Sequence, residues 1–222
     1  MTEKKISLLE FENNPNIGIY LFLNDKFCLI GKEISEEKKK EIENIIDVPI
    51  YKISILGTEL IGIFLAGNNE KIFIPELLNE EYNKLKEITT EHNVEIITLN
   101  DKMNTYGNNL CVGDKEILVS KDYNNNFLKK LEKVSKLKII SIGNENFKAT
   151  GALCQAIEGK YFVSQELDEK DFKPIIKKIL GVGTINSGSN YISSGVIGNK
   201  NGLLIGSLSS TIEIQNLFDA FN

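Results

Sequence analysis

The sequence predicts an α/β protein folded as a closed five-fold ring of ββαβ units, an α/β propeller, and three observations carry that prediction. Apolar triplets recur at Cys28-Leu29-Ile30, Ile72-Phe73-Ile74, Ile117-Leu118-Val119, Tyr161-Phe162-Val163 and Leu203-Leu204-Ile205, so their last residues lie 44, 45, 44 and 42 positions apart. A glycine stands about twelve residues before each of the first four triplet ends, at Gly18, Gly62, Gly107 and Gly151, and Ser193 takes the fifth place. The fifth unit stops at Asn222 without a last strand, while a spare apolar segment, Ile6 to Phe11, precedes the first glycine.

Each unit opens with a predicted hairpin. Between glycine and triplet, a short apolar stretch is broken by Asn24-Asp25, Asn68-Asn69, Gly113-Asp114, Glu158-Gly159 or Asn201-Gly202. These residues favour the positive φ angles of tight hairpin turns. The apolar period then changes from about two to about 3.6, which predicts a helix laid on a sheet. Ile42, Ile45 and Ile46 share a face, as do Tyr82, Leu85 and Ile88, then Phe127, Leu128, Leu131 and Val134, then Phe172, Ile175, Ile176 and Ile179. Ser35, Asn79 and Asp168 stand as N-caps, and Ser210 with Glu213 has capping-box spacing before Leu217, Phe218 and Phe221.

A third strand follows each helix, at Ile50 to Ile55, Val94 to Leu99, Leu137 to Ile142 and Val182 to Ile185. Unit boundaries fall at about 17–60, 61–105, 106–149, 150–191 and 192–222 of one domain spanning 1–222, with residues 5–11 supplying the strand that the last unit lacks. Closure removes the open sheet edges that a linear array exposes. The alternative, a doubly wound sheet, does not usually place a hairpin before every helix, and a free unit of about 45 residues buries too little apolar surface to stand alone.

At 222 residues, 41% apolar and 26% charged, the chain reads as one soluble globular domain. Its uncharged apolar runs are strand-sized, short of the roughly 20 residues that span a bilayer, and no signal-peptide core opens it, so a cytoplasmic location is expected. Cys28, Cys111 and Cys154 sit in predicted strands without CxxC or metal spacing, which reads as buried reduced thiols. A net charge of −5 argues against a protein that coats nucleic acid. The lysines at 38–40, 129, 130, 133, 177 and 178 fall on polar helix sides and read as solvated faces.

Signatures of catalysis are lacking. The single histidine, His92, lies in a polar connection and reads as a surface residue. HExxH, P-loop, GxSxG and post-strand GxGxxG patterns are absent. Gly181-Val182-Gly183 reads as a strand end or turn. Carboxylates cluster in first helical turns, at Glu36-Glu37, Glu80-Glu81 and Asp168-Glu169, where the helix dipole favours them. No active site, metal or cofactor is predicted.

Polar loops before the hairpins do ask for a role. FENNPNIG (11–18), LGTELIG (56–62), NTYGNN (104–109), KATGA (148–152) and GTINSGSNYISSG (183–195) occupy equivalent places in a five-fold ring and gather on one face. Asn amides, hydroxyls and tyrosines make that face a broad, nearly uncharged surface suited to docking a protein.

The same stretches, FENNPNIG, NTYGNN with the following GDKEILVS, and above all GTINSGSNYISSGVIGNKNGLLIGSLSSTIEI, resemble the translation initiation factor 6 family of archaeal and eukaryotic anti-association factors. Length and the end at Asn222 look like the archaeal form. The resemblance implies a pentein fold and a function in translation, in which the protein binds the large ribosomal subunit, mainly through a ribosomal protein with the sarcin–ricin loop of ribosomal RNA nearby, and so blocks the small subunit. Carried over, the docking face comprises Asn13, Asn14, Tyr106, Asn108, Ser189, Asn190 and Tyr191. Tyr191 departs from the family, which usually has a smaller aliphatic residue there. The family's prolines after the triplets survive only as Pro75, with Lys121 and Gln165 following Ser120 and Ser164, and these loops are assigned to the opposite rim.

A monomeric factor that works by occupying a surface is the first function class. The second is an enzyme, since penteins include guanidine-modifying hydrolases and transferases with a cysteine nucleophile, but those need a cysteine late in the last unit and this chain has none after Cys154. A non-catalytic scaffold is the third.

Overall fold

The structure is a computed structural model that describes residues 4–78, 81–143 and 148–222. Five three-stranded sheets stand around a central axis like wedges. β1 (Lys5–Leu9) precedes the first unit, which contains β2 (Leu21–Leu23), β3 (Cys28–Ile30) and β4 (Ile50–Lys52). The second holds β5 (Ala66–Gly67), β6 (Lys71–Pro75) and β7 (Glu95–Leu99), and the third β8 (Leu110–Val112), β9 (Glu116–Ser120) and β10 (Lys138–Ile142). β11 (Cys154–Ile157), β12 (Lys160–Ser164) and β13 (Ile179–Gly183) make the fourth; β14 (Val196–Gly198) and β15 (Gly202–Gly206) belong to the fifth. In every sheet the triplet strand is central, antiparallel to its hairpin partner and parallel to the outer strand. The fifth sheet takes β1 as its outer strand, in parallel register from Lys5↔Gly202 to Leu9↔Gly206.

The triplets are uninterrupted apolar runs because both faces of each central strand are buried. Five separate cores lie between neighbouring wedges. Cys28 and Ile30 point into one core and Leu29 into the next; Phe73, Leu118, Phe162 and Leu204 repeat the parity of Leu29. A helix closes the outside of each gap. Ile42 and Ile46 of the helix Glu36–Ile46 enter the same core as Cys28, and Leu217 and Phe221 of Thr211–Phe221 enter that of Leu203.

The cap expectations divide. Ser35 accepts from the Lys38 amide, and Ser210 with Glu213 forms a full capping box. Asn124, not among the expected caps, also accepts from the Phe127 amide. Asn79 and Glu80 lie outside the described residues. Asp168 makes no capping hydrogen bond; its carboxylate pairs with Lys170 at 2.7 Å instead. The fourth helix is also shorter than its periodicity predicts. Pro174, without an N–H, ends the α-helical turn Glu169–Phe172 and the chain continues as 3-10 helix over Lys173–Lys178. Ile179 therefore opens β13 rather than joining a helix face, and Gly181 to Gly183 form the end of that strand, the first of the two readings the sequence left open.

Hairpin turns differ as well. Among the five hairpins that lead into the triplet strands, all within the described residues, only the fourth has the paired positive φ of a two-residue turn, 51° at Glu158 and 69° at Gly159. In the first, second and fifth units, Asn24, Asn68 and Asn199 build four-residue Asx turns, each side-chain oxygen accepting from two main-chain N–H groups two and three residues on. The freed amide groups reach sideways: Asn199 to the Asn24 carbonyl, Asn24 to that of Asn68, Asn68 to that of Gly113. Gly113 meets a different demand, since a Cβ there would sit 1.9 Å from the Tyr161 hydroxyl oxygen.

Candidate functional site

The four glycines and Ser193 form a closed circuit at one end of the axis. A Cβ on Gly62 would lie 1.9 Å from the Gly18 carbonyl oxygen, one on Gly107 1.8 Å from that of Gly62, and one on Gly151 2.3 Å from that of Gly107. Ser193 completes the circuit by donating its hydroxyl to the Gly151 carbonyl at 2.9 Å. These contacts bring the five pre-hairpin loops together on one face, around an axial cavity of about 100 Å³ lined by the circuit and the inner strands.

Asn13 is exposed at the tip of a tight turn, with φ of 62°, between Phe11 and Asn14. Asn14 is a scaffold residue, its oxygen accepting from the main chain and side chain of Asn16 and its amide donating to Tyr20. Next to this loop, across the junction of first and last units, lies the segment that ends in Ser189, Asn190 and Tyr191. Asn186 donates to the Pro15 carbonyl and Ser194 to the Asn16 side chain. Tyr191 is 47% exposed. Asn190 is half-buried, its amide donating to Glu166 and its own oxygen unpartnered. Asn108 is half-buried in the circuit, where its carbonyl accepts from Ala152.

Tyr106 requires a correction, for its side chain is fully buried and stacks on Phe127. Burial pushes its phenol well above the usual tyrosine range. It supports the loop from below and offers a partner nothing.

The loops after the triplets also stand elsewhere than expected. A hairpin returns the chain to the end from which it left, so Lys32, Glu76, Asp122, Glu166 and Ser209 share this face rather than the opposite rim. Glu76 N–H donates to the Leu99 carbonyl, Lys148 pairs with Asp122 at 3.3 Å, and Ser209 reaches Asn186. The face is therefore polar and uncharged near its axis but charged at its perimeter. Sequence reasoning missed two of its fixtures. Lys32, almost buried, bridges Glu12 at 2.6 Å and Glu59 at 2.7 Å over the Tyr20 ring. Glu213, expected only as a helix cap, accepts five hydrogen bonds.

Cys28, Cys111 and Cys154 are buried free thiols, and burial pushes those of Cys28 and Cys154 up, away from the reactive thiolate. His92 is at the far end, partly buried rather than free at the surface. It sits against the Phe27 ring and 2.9 Å from the Tyr51 hydroxyl.

A model of the eIF-6 family matches residues 6–220. The chain belongs to the eIF-6 family. Among its relatives, the translation initiation factor 6 of Picrophilus torridus is 29% identical over 222 residues, covering 99% of each chain. That of Staphylothermus marinus is 27% identical and covers 96% of each. This eIF-6 family chain also shares its fold with solved enzymes. A dimethylarginine dimethylaminohydrolase superposes with a TM-score of 0.53 at 14% identity, covering 81% of this chain and 70% of that one. The N-terminal domain of ArgZ, an arginine dihydrolase from cyanobacteria, gives 0.56 at 13% identity over 84% and 77%. Such likeness establishes the pentein fold, the closed five-fold α/β ring.

Proposed function

We propose that the chain binds the large ribosomal subunit through the glycine-circuit face and, by occupying that surface, keeps the small subunit from joining. Family membership supports a ribosomal partner. The observation that carries the reading is the convergence of the loops bearing Asn13, Asn108, Ser189, Asn190 and Tyr191 on one side of a rigid ring. Tyr191 supplies an exposed aromatic anchor among hydrogen-bonding groups, the composition that protein interfaces favour.

What the family resemblance implies is a main contact with a ribosomal protein and the sarcin–ricin loop beside it; a net charge of −5 fits such a contact better than wholesale phosphate neutralisation. The factor acts as a cytoplasmic monomer and turns nothing over. Buried thiols, and a histidine at the end of the ring remote from the docking loops, support a plug rather than a catalyst.

Sedimentation of the pure protein with isolated large subunits, small subunits and joined ribosomes tests this. Binding confined to free large subunits is expected, and failure to bind them would overturn the proposal.

A further inference from the structure

Glu213 occupies the N3 position of the last helix and is 6% exposed, yet its partners are five neutral donors. Two belong to the helix cap: the Ser210 amide at 2.8 Å and the Ser210 hydroxyl at 3.0 Å, both on Oε2. The other three lie in the segment before the docking loop. The Ser187 amide donates to Oε2 at 3.0 Å, and the Gly188 amide and Thr184 hydroxyl donate to Oε1 at 2.9 and 2.7 Å.

That segment needs outside help. Asn186, Ser187 and Gly188 have φ of 49°, 60° and 102°, three successive left-handed residues of which two carry a Cβ. Such conformations persist only where surroundings impose them. The Ile185–Ser189 bridge closes the turn with hydrogen bonds of 2.9 and 2.7 Å, and the Ser189 hydroxyl accepts from the Tyr191 amide. The direction of the turn thus sets where Asn190 and Tyr191 stand.

We propose that Glu213 is a positioning residue for docking: its buried carboxylate ties the start of the last helix to the left-handed turn that presents Ser189, Asn190 and Tyr191. The inference rests on the docking reading above. A helix cap alone needs only the Ser210 contacts. The remaining acceptor capacity is spent on the turn, and it holds the carboxylate where burial alone would discharge it.

Three variants separate the roles. Thr184→Val removes a turn contact and spares the cap; Ser210→Ala removes the cap hydroxyl and spares the turn; Glu213→Gln presents an N–H₂ group to donors on one side and impairs both. Cosedimentation with large subunits, thermal midpoint and amide hydrogen exchange at Ser187 and Gly188 are read for each. Expected are binding weakened about tenfold for Glu213→Gln, with a smaller loss for Thr184→Val, and faster exchange in both. Ser210→Ala should lower the midpoint while leaving binding and exchange as in the unsubstituted protein. Normal binding and exchange in Thr184→Val and Glu213→Gln, or equal losses in Ser210→Ala, would overturn the positioning role alone. Absence of binding by the unsubstituted protein would instead remove the docking reading on which it rests.

Discussion

A Cβ on Gly18 would lie 1.8 Å from the carbonyl oxygen of Ser193, so the first and last units meet as closely as any two neighbours in the chain. The circuit closes without a seam at this end. At the other end, the buried Lys4 ammonium donates to Glu158 at 2.8 Å and to the Lys200 carbonyl at 2.8 Å, tying the segment before β1 to the fourth and fifth hairpins.

Opening that junction is expected to be costly. Removing residues 1–11 takes away all of β1 and the side chains of Leu9 and Phe11, which are 1% and 5% exposed. Burial of this kind contributes about 2–5 kcal/mol per large side chain. With roughly 2–4 °C per kcal/mol for a chain of this size, the thermal midpoint should fall by at least about 8 °C. A change within about 2 °C, by calorimetry or circular dichroism, would mean that β1 is dispensable.

The circuit itself predicts a contrast between glycines. Gly107→Ala drives a methyl onto the Gly62 carbonyl, whereas Gly57→Ala, at φ of 68° with nothing within 4 Å, meets only backbone strain. The second should cost about 1 kcal/mol and the first several times that. Equal midpoints for the two variants would show that the wedges can separate freely.

The triplets and helix stripes were legible because burial on both faces of the central strands, and on one stripe of each helix, leaves periodic apolar residues. Turn chemistry was not, since Asn serves equally as a left-handed residue or as an Asx acceptor, and only the tertiary setting of Asn24 and Asn68 decides. Gly113 looked like a turn glycine, but its reason sits 48 residues away in Tyr161. Two misreadings had a signal in the chain. Pro174 marks the end of the fourth helix, and hairpin geometry alone places the post-triplet loops at the glycine-circuit end. Tyr106 had none, because a tyrosine beside an axial glycine reads the same whether it points out or in.

Gly113 and Tyr161 should be energetically coupled. The Tyr161 hydroxyl donates to Glu116 at 2.8 Å, and Lys178 holds the same carboxylate at 2.6 Å. Tyr161→Phe should cost about 1–2 kcal/mol for the lost charge-assisted bond. Gly113→Ala should be worse in the native background than beside Phe at 161, where the obstructing oxygen is gone. A double-mutant cycle is expected to give a coupling of about 1 kcal/mol or more, and strict additivity would place the clash elsewhere.

Acid should act through Glu213. Burial raises its pKa, but hydrogen bonds from Ser210, Thr184, Gly188 and Ser187 outweigh burial and hold it at about 2, against an ordinary 4.5. A depressed folded pKa means that the stabilisation is complete above the ordinary value and is lost as pH falls toward 2. Comparing thermal midpoints of the unsubstituted protein and Glu213→Gln from pH 6 downward, the gap should be constant at first and shrink below about 4.5. A gap independent of pH would show that the carboxylate charge contributes nothing.

The proposed docking face makes the sharpest demand. An arginine at position 108 or 191 would bring an unpaired charge into a desolvated contact, which costs far more than the same charge at a wet rim. Asn108→Arg and Tyr191→Arg are each expected to weaken large-subunit binding by about tenfold or more, with thermal midpoints within about 2 °C of the unsubstituted protein. Lys160→Ala, exposed in the fourth hairpin at the other end of the ring, should bind normally. If both arginine variants sediment with large subunits as the unsubstituted protein does, the ring docks by another face; if Lys160→Ala alone loses binding, that face is the hairpin end.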